Sequence, residues 1–115
     1  MLFRSLGCLV QITGSSLLGR FGQRAQAMSH EFLKKNWVHI IASDAHSAER
    51  RSPSMSRAYQ ALQSQYGQQT ADRLCMENPR AVYFGETLAE QPEPEGVYDI
   101  YKPKKSGFFS RLFGK

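Results

Sequence analysis

Cysteine is scarce in this sequence, and long apolar runs are missing. The 115 residues include two cysteines, Cys8 and Cys75, which are too few for a disulfide framework and do not form a C-x-x-C metal motif. Both lie among apolar neighbours, so we expect buried free thiols in a reducing compartment. No apolar run approaches the roughly 20 residues that a membrane-spanning helix needs. At this length the chain predicts one domain at most.

Acidic residues are missing from the last stretch, residues 102–115. Residues 1–101 hold ten Lys or Arg and ten Asp or Glu, so this part is neutral. The net charge of +5 therefore belongs to the tail, through Lys102, Lys104, Lys105, Arg111 and Lys115. Because a nucleic-acid-binding domain normally carries its positive charge on the folded surface, we expect no nucleic-acid partner.

The same tail is rich in phenylalanine and has an amphipathic pattern. At helical spacing Arg111 lies opposite an apolar face formed by Phe108, Phe109, Leu112 and Phe113. This pattern is typical of a segment that contacts an anionic membrane interface or docks in a partner's groove. A frayed tail with no role is the alternative.

An acidic, Pro-rich stretch separates the tail from the rest of the chain. Glu90–Gly96 has no apolar residue to anchor it, so we expect an extended linker. The predicted organisation is a folded part over residues 1–86, a linker over residues 87–101 and the tail over residues 102–115.

Two short apolar strands are predicted on either side of an amphipathic helix. The strands are Cys8–Ile12 and Trp37–Ala42, and the helix runs from about Phe21 to Lys35, with Asn36 as its stop. A strand-helix-strand connection of this length implies two parallel strands in one sheet. Further helical segments are predicted over residues 55–66, 69–77 and 78–85. The fold class is therefore α/β.

Polar residues follow both predicted strands. Thr13 follows the first strand, while Asp44 and His46 follow the second. Parallel sheets bind ligands outside the carboxyl ends of their strands, and an extended backbone points residues two apart to the same side. A carboxylate and an imidazole that converge in this way can hold a divalent metal. The alternative is an aspartate that caps a loop beside a surface histidine.

The loop that follows contains adjacent arginines, Arg50 and Arg51. Arginine suits bidentate capture of phosphate or carboxylate, although a solvated surface pair is the alternative. His30 is predicted on the polar side of its helix and His39 within the second strand, so neither completes a cluster with Asp44. One aspartate and one histidine leave a metal under-coordinated. We therefore expect the C-terminal part of something larger.

Four segments in combination carry a resemblance to a known family. They are Val10–Gly22, Val38–His46, Arg51 and Arg73–Pro79. Over roughly residues 6–86 the sequence resembles the C-terminal half of the bacterial protein-tyrosine phosphatases of the PHP (polymerase and histidinol phosphatase) type, which belong to capsule and exopolysaccharide operons. The resemblance implies a truncated C-terminal fragment of a distorted (β/α)7 barrel that holds divalent metals, commonly Mn²⁺.

The resemblance also implies roles for single residues. Asp44 and His46 match the last two metal ligands, and Arg51 matches an arginine that binds the substrate phosphate, with Arg50 as the alternative register. The implied chemistry is metal-assisted hydrolysis, in which water attacks phosphorus. It needs no cysteine nucleophile, and neither cysteine begins a C-x5-R loop. The fragment alone is expected to be inactive, because the remaining ligands come from strands that this sequence does not contain.

The implied substrate is phosphotyrosine on a bacterial tyrosine autokinase that controls polysaccharide export. Because that kinase lies in the membrane, we expect a cytoplasmic protein whose tail contacts the membrane; assembly into a homo-oligomer is left open. Two alternatives remain. One is another metal-dependent phosphoesterase of the same superfamily that acts on a small phosphate ester. The other is a non-catalytic interaction module that keeps a remnant of the fold and the tail.

Overall fold

A two-stranded parallel sheet organises the protein. The computed structural model describes residues 6–49 and 55–96. Strand β1 spans Gln11–Thr13 and strand β2 spans Ile40–Ala42, and they pair in parallel with Ile12 opposite Ile41. The predicted α/β class and the parallel pair joined through a helix are confirmed.

Helices occupy most of the remaining described chain. They are α1 (Gly14–Leu17), α2 (Gln23–Lys34), α3 (Ser56–Tyr66), α4 (Gln68–Asp72), a π-helical turn (Arg73–Glu77) and α5 (Asn78–Tyr83). Local chemistry sets several boundaries. The Thr13 hydroxyl caps α1 by accepting a hydrogen bond from the amide of Ser16 at 3.2 Å. Asn36, with φ of 56°, ends α2, and Gly67, with φ of 90°, separates α3 from α4.

Both strands are shorter than predicted. The Val10 amide donates to Nδ1 of His39 at 3.0 Å rather than to a backbone carbonyl, so the strand ladder begins only at Gln11. The residues before Val10 have no strand beside them in the described chain. The prediction of a buried Cys8 is therefore wrong, since Cys8 is exposed.

The core lies between the sheet and the helices. Its buried members are Leu17, Leu33, Val38, Ile41, Leu62, Ala71 and Leu74. The helix predicted over residues 55–66 is confirmed as α3, and Met55, Tyr59 and Tyr66 pack against this cluster around Leu62. Removing these side chains from water is the main favourable contribution to the stability of the fold.

Residues 87–96, here named the strap, return to the folded part. Three hydrogen bonds join the strap to the segment between α2 and β2: Glu95 N to Lys35 O (2.9 Å), Asn36 Nδ2 to Glu93 O (3.1 Å) and Trp37 Nε1 to Glu95 O. The sequence predicts an extended linker without an apolar anchor, and in the structure polar groups join residues 87–96 to the folded part. The division into residues 1–86, 87–101 and 102–115 stays a prediction.

A pair of side-chain amides connects the strap to His39, the residue directly before β2. Asn78 is 2% exposed and donates from Nδ2 to the His39 carbonyl and to Gln91 Oε1, both at 2.8 Å. Gln91 returns a bond from Nε2 to Asn78 Oδ1 at 3.0 Å, and Arg73 also donates to Gln91 at 3.0 Å. The residue before β2, the π-helical turn, α5 and the strap therefore share one hydrogen-bond network.

Several predicted features fall on residues that the structure does not describe. Arg50 and Arg51 lie outside the described residues, as does the whole tail, residues 102–115. Within the described ranges, no helix is both long and apolar enough to cross a membrane.

Candidate functional site

Asp44 and His46 lie just beyond the carboxyl end of β2, where the sequence predicts a metal site. Both are exposed. Asp44 has φ of 48°, a left-handed conformation that aspartate tolerates better than most residues. The chain therefore turns sharply at Asp44, directly after the strand.

The imidazole of His46 is oriented by the backbone. Its Nδ1 lies 2.7 Å from the carbonyl oxygen of Asp44. Because a carbonyl can only accept, Nδ1 carries the proton in this bond, and Nε2 is the nitrogen with a lone pair to offer. Metal-binding histidines are commonly held in this way, with one ring N–H on a carbonyl and the other nitrogen on the metal.

The other two histidines have structural roles. His39 is 4% exposed, and its Nδ1 accepts the hydrogen bond from the Val10 amide. His30 is half-buried against α3, where its Nδ1 lies 2.6 Å from the Tyr66 hydroxyl and the two rings stack. The prediction that His30 lies on a polar face is wrong, because Tyr66 covers it. That neither histidine completes a cluster with Asp44 stays a prediction.

The donor set fits part of a metal centre. A carboxylate and an oriented imidazole, two residues apart at a strand end, are suitable ligands for a divalent cation. Within residues 6–49 and 55–96, no group of three or more His, Cys, Asp or Glu side chains comes together as a metal site. The described chain thus supplies two ligands, and a catalytic metal usually draws three or more from its protein.

A cavity of about 240 Å³ lies beside these ligands at the carboxyl edge of the sheet. Its lining includes two arginines and three hydroxyl side chains: Arg20, Arg57, Ser15, Ser43 and Ser56. Ser43 immediately precedes Asp44, so the cavity and the candidate metal ligands share this loop. Arg20 and Arg57 were not among the predicted site residues, and no motif in the sequence around either of them indicated a site.

The cysteines are poorly suited to nucleophilic catalysis. Burial, with a smaller contribution from the carboxylate of Asp72, raises the pKa of the Cys75 thiol to about 11, so the reactive thiolate is rare at neutral pH. Asp72 also accepts a hydrogen bond from the Tyr59 hydroxyl at 2.6 Å, which raises the pKa of Tyr59. Cys8 is exposed but lies before β1, away from the carboxyl edge.

Comparison with known proteins gives consistent matches. The family described as "Capsular polysaccharide synthesis, CpsB/CapC" matches residues 2–83. Tyrosine-protein phosphatase CpsB of Streptococcus pneumoniae is 31% identical over 88 residues, which cover 72% of this chain and 36% of that protein. Tyrosine-protein phosphatase YwqE of Bacillus subtilis is 33% identical over 103 residues, which cover 90% of this chain and 39% of that protein.

The fold matches as well. A chain from the crystal structures of B. subtilis YwqE and S. pneumoniae CpsB, described as unique metal-dependent tyrosine phosphatases, superposes with a TM-score of 0.72 at 31% identity. The match covers 81% of this chain and 38% of that one, so the chain spans little more than a third of the length of the relatives it matches. Since the family match runs through both strands, the Asp44–His46 loop and α3 to α5, the chain belongs to the CpsB/CapC family of capsular polysaccharide synthesis.

Proposed function

We propose that this chain forms the carboxyl-terminal part of a PHP-type (β/α)7 barrel and supplies ligands to a metal-dependent protein-tyrosine phosphatase. The observation that carries the proposal is the placement of Asp44 and His46 at the carboxyl end of a parallel strand. They lie in a fold that superposes on metal-dependent tyrosine phosphatases at 31% identity. Ligand sites of open parallel sheets and of barrels both lie at this edge.

In this proposal each residue has a distinct task. Asp44 and His46 hold a divalent cation, for which we propose Mn²⁺, and the cation when bound supplies Lewis-acid chemistry to phosphoryl transfer. The Asp44 carbonyl keeps the His46 ring oriented through Nδ1. Arg51, or Arg50 in the alternative register, binds the phosphate and offsets the charge that develops on its oxygens. The high pKa of Cys75 agrees with a mechanism that uses no thiolate.

The proposed substrate is phosphotyrosine on a bacterial tyrosine autokinase that controls capsule or exopolysaccharide synthesis. Support comes from the relatives, which are named tyrosine-protein phosphatases, and from the family's description as one of capsular polysaccharide synthesis. We propose that the protein is cytoplasmic and that it meets its substrate near the membrane.

A graft tests whether this chain can complete such an enzyme. Residues 6–96 would replace the structurally matching carboxyl part of B. subtilis YwqE. We expect the chimera to hydrolyse a phosphotyrosine peptide when Mn²⁺ is added, because the graft returns the missing ligands to the same edge of the sheet. The measurement is phosphate release with and without Mn²⁺.

Two controls define the result. YwqE without its carboxyl part, and the 115-residue chain alone, should each show no turnover of p-nitrophenyl phosphate with Mn²⁺. A folded chimera that remains inactive would contradict the proposed function. A chimera that hydrolyses small phosphate esters but releases no phosphate from phosphotyrosine peptides would favour the phosphoesterase alternative.

We further propose that residues 102–115 contact anionic lipid. The support is compositional: five basic residues, no acidic residue, and an apolar set of Phe108, Phe109, Leu112 and Phe113. We expect the full chain to sediment with vesicles that contain phosphatidylserine and to stay in solution with neutral phosphatidylcholine vesicles. Truncation after Tyr101 should abolish sedimentation; equal binding by the truncated and full chains would refute the idea.

A further inference from the structure

The cavity at the carboxyl edge has the chemistry of an anion site. Arg20 and Arg57 line it together with three serines, Ser15, Ser43 and Ser56. Among the described residues that line it, none is acidic. Guanidinium groups and hydroxyls are donors that suit carboxylate and phosphate oxygens.

The arginines carry charge that no carboxylate of the described chain neutralises. Within residues 6–49 and 55–96, the one ion pair joins Lys35 to Glu31 at 2.9 Å, far along the chain from the cavity. Arg20 and Arg57 are both exposed, and like charges that share a cavity raise its positive potential. The site is therefore attractive to an anion before any ligand enters.

Close packing between the end of β1 and α3 builds the cavity. Gly14 contacts Ala58 so tightly that a Cβ on Gly14 would lie 2.9 Å from the Ala58 Cβ. This contact brings the first turn of α3, which contains Arg57, against the first turn of α1. On the other side, the Arg20 amide donates to the Ser15 carbonyl at 3.0 Å and holds the following turn in place.

The first turn of α3 adds to the positive potential. Helix N-termini have unsatisfied amide donors and a partial positive charge. Met55 stands at the N-cap of α3 and makes no side-chain hydrogen bond there. Ser56 and Arg57 of that turn both line the cavity.

We propose that this cavity binds a second oxyanion of the substrate, either a carboxylate or another phosphate, within a few residues of the phosphotyrosine. The inference rests on the proposed function and adds to it the substrate class, namely phosphotyrosine in an acidic or multiply phosphorylated segment. Ser43 lines the cavity and is the residue directly before Asp44. An extended peptide advances about 3.3 Å per residue, so one peptide can place its phosphotyrosine at the metal ligands and its second anion in the cavity.

Binding of inorganic phosphate tests the cavity without catalysis. In NMR titrations of the full chain, we expect saturable shifts of the Gly14, Ser15 and Ser43 amide signals. The Arg20→Gln/Arg57→Gln double variant should weaken binding by about tenfold, because each substitution removes a charged donor. Arg24→Gln, at an exposed arginine that does not line the cavity, should titrate like the unsubstituted chain.

Peptides then identify the source of the anion. With the chimera, kcat/KM is compared for phosphotyrosine peptides whose neighbouring position holds glutamate, a second phosphotyrosine or glutamine. We expect the first two to exceed the glutamine peptide by about tenfold, and the double variant to lose the difference. Of these two peptides, the one with the higher kcat/KM identifies the source of the second anion, a carboxylate or another phosphate.

The outcomes separate the two proposals. If the three amide signals do not shift with phosphate, or shift equally in the double variant, the cavity is not an anion site. If all three peptides are equally good substrates of an active chimera, the subsite is wrong while the phosphatase function stands. A chimera that is inactive on every peptide contradicts the proposed function. In that case the phosphate titration still shows whether the cavity binds an anion.

Discussion

Substitution of Asp44 by alanine in the YwqE chimera should lower kcat/KM for a phosphotyrosine peptide by at least about a hundredfold. Loss of residues that merely support metal ligands typically costs 10- to 100-fold, and Asp44 is proposed as a ligand itself. Phosphate release at a fixed Mn²⁺ concentration measures the effect. The loss should shrink as Mn²⁺ is raised, because a weakened site can be partly refilled by mass action.

The backbone at Asp44 calls for a second variant. Its φ of 48° strains alanine by roughly 1–2 kcal/mol, so Asp44→Ala changes both the ligand and the backbone. Asp44→Gly removes the carboxylate without that strain. We expect the glycine variant to be as inactive as the alanine variant. Recovery of activity with glycine would show that Asp44 acts through its backbone and would refute its role as a ligand.

A neighbouring carboxylate provides the matched control. Glu49 lies in the same loop and is exposed, but it is not part of the D-x-H pair. Glu49→Ala should keep activity within about twofold of the unsubstituted chimera, since surface substitutions are usually nearly neutral. An equal loss at Glu49 would mean that negative charge in this loop, and not a specific ligand, is what matters.

Leu62→Ala is expected to have the largest effect on stability. Leu62 is fully buried at 0% exposure, in a cluster that has seven buried apolar residues in the described part of the chain. Truncating a buried leucine removes transfer free energy and leaves a cavity, at a cost of about 2–5 kcal/mol. That cost approaches the whole stability of a typical small domain, about 5 kcal/mol at the low end.

Urea unfolding of the full chain, followed by circular dichroism, measures this loss. The matched control is Leu9→Ala, the same substitution at a leucine that is 47% exposed. We expect the midpoint to change little for Leu9→Ala, and Leu62→Ala to show little or no folded baseline. Similar midpoints for both variants would show that α3 does not pack on the sheet as described.

Local signals along the chain predicted the parallel strands and the helix ends. Asn36 was expected as a helix stop, because such a residue acts on backbone groups within a few residues. Apolar periodicity predicted the helix over residues 55–66 for a similar reason. The residues that form these features lie close together in the chain, so their pattern can be recognised in a single sequence.

Features formed by distant residues escaped prediction. The cavity between Arg20 and Arg57 exists because Gly14 meets Ala58, a contact between residues far apart in the chain. Nothing in the local sequence around Arg57 indicates this contact. The residues around Arg57 predict only the start of a helix.

The strap escaped prediction for another reason. Its composition is that of a linker, and composition predicts disorder from the lack of apolar side chains. In the structure its polar groups find partners instead, above all the paired amides of Asn78 and Gln91. Specific hydrogen bonds of this kind depend on geometry that composition cannot reveal.

The strap contacts the chain near the start of β2 and not near its carboxyl end. The strap meets the chain at Lys35, Asn36 and Trp37, before β2 begins, whereas Asp44 follows the end of that strand. Up to roughly 23 Å of extended chain separates Trp37 from Asp44. A reporter protein or an affinity resin attached close to Gly96 would therefore sit near the start of β2, away from the carboxyl end of the strand where Asp44 and His46 lie.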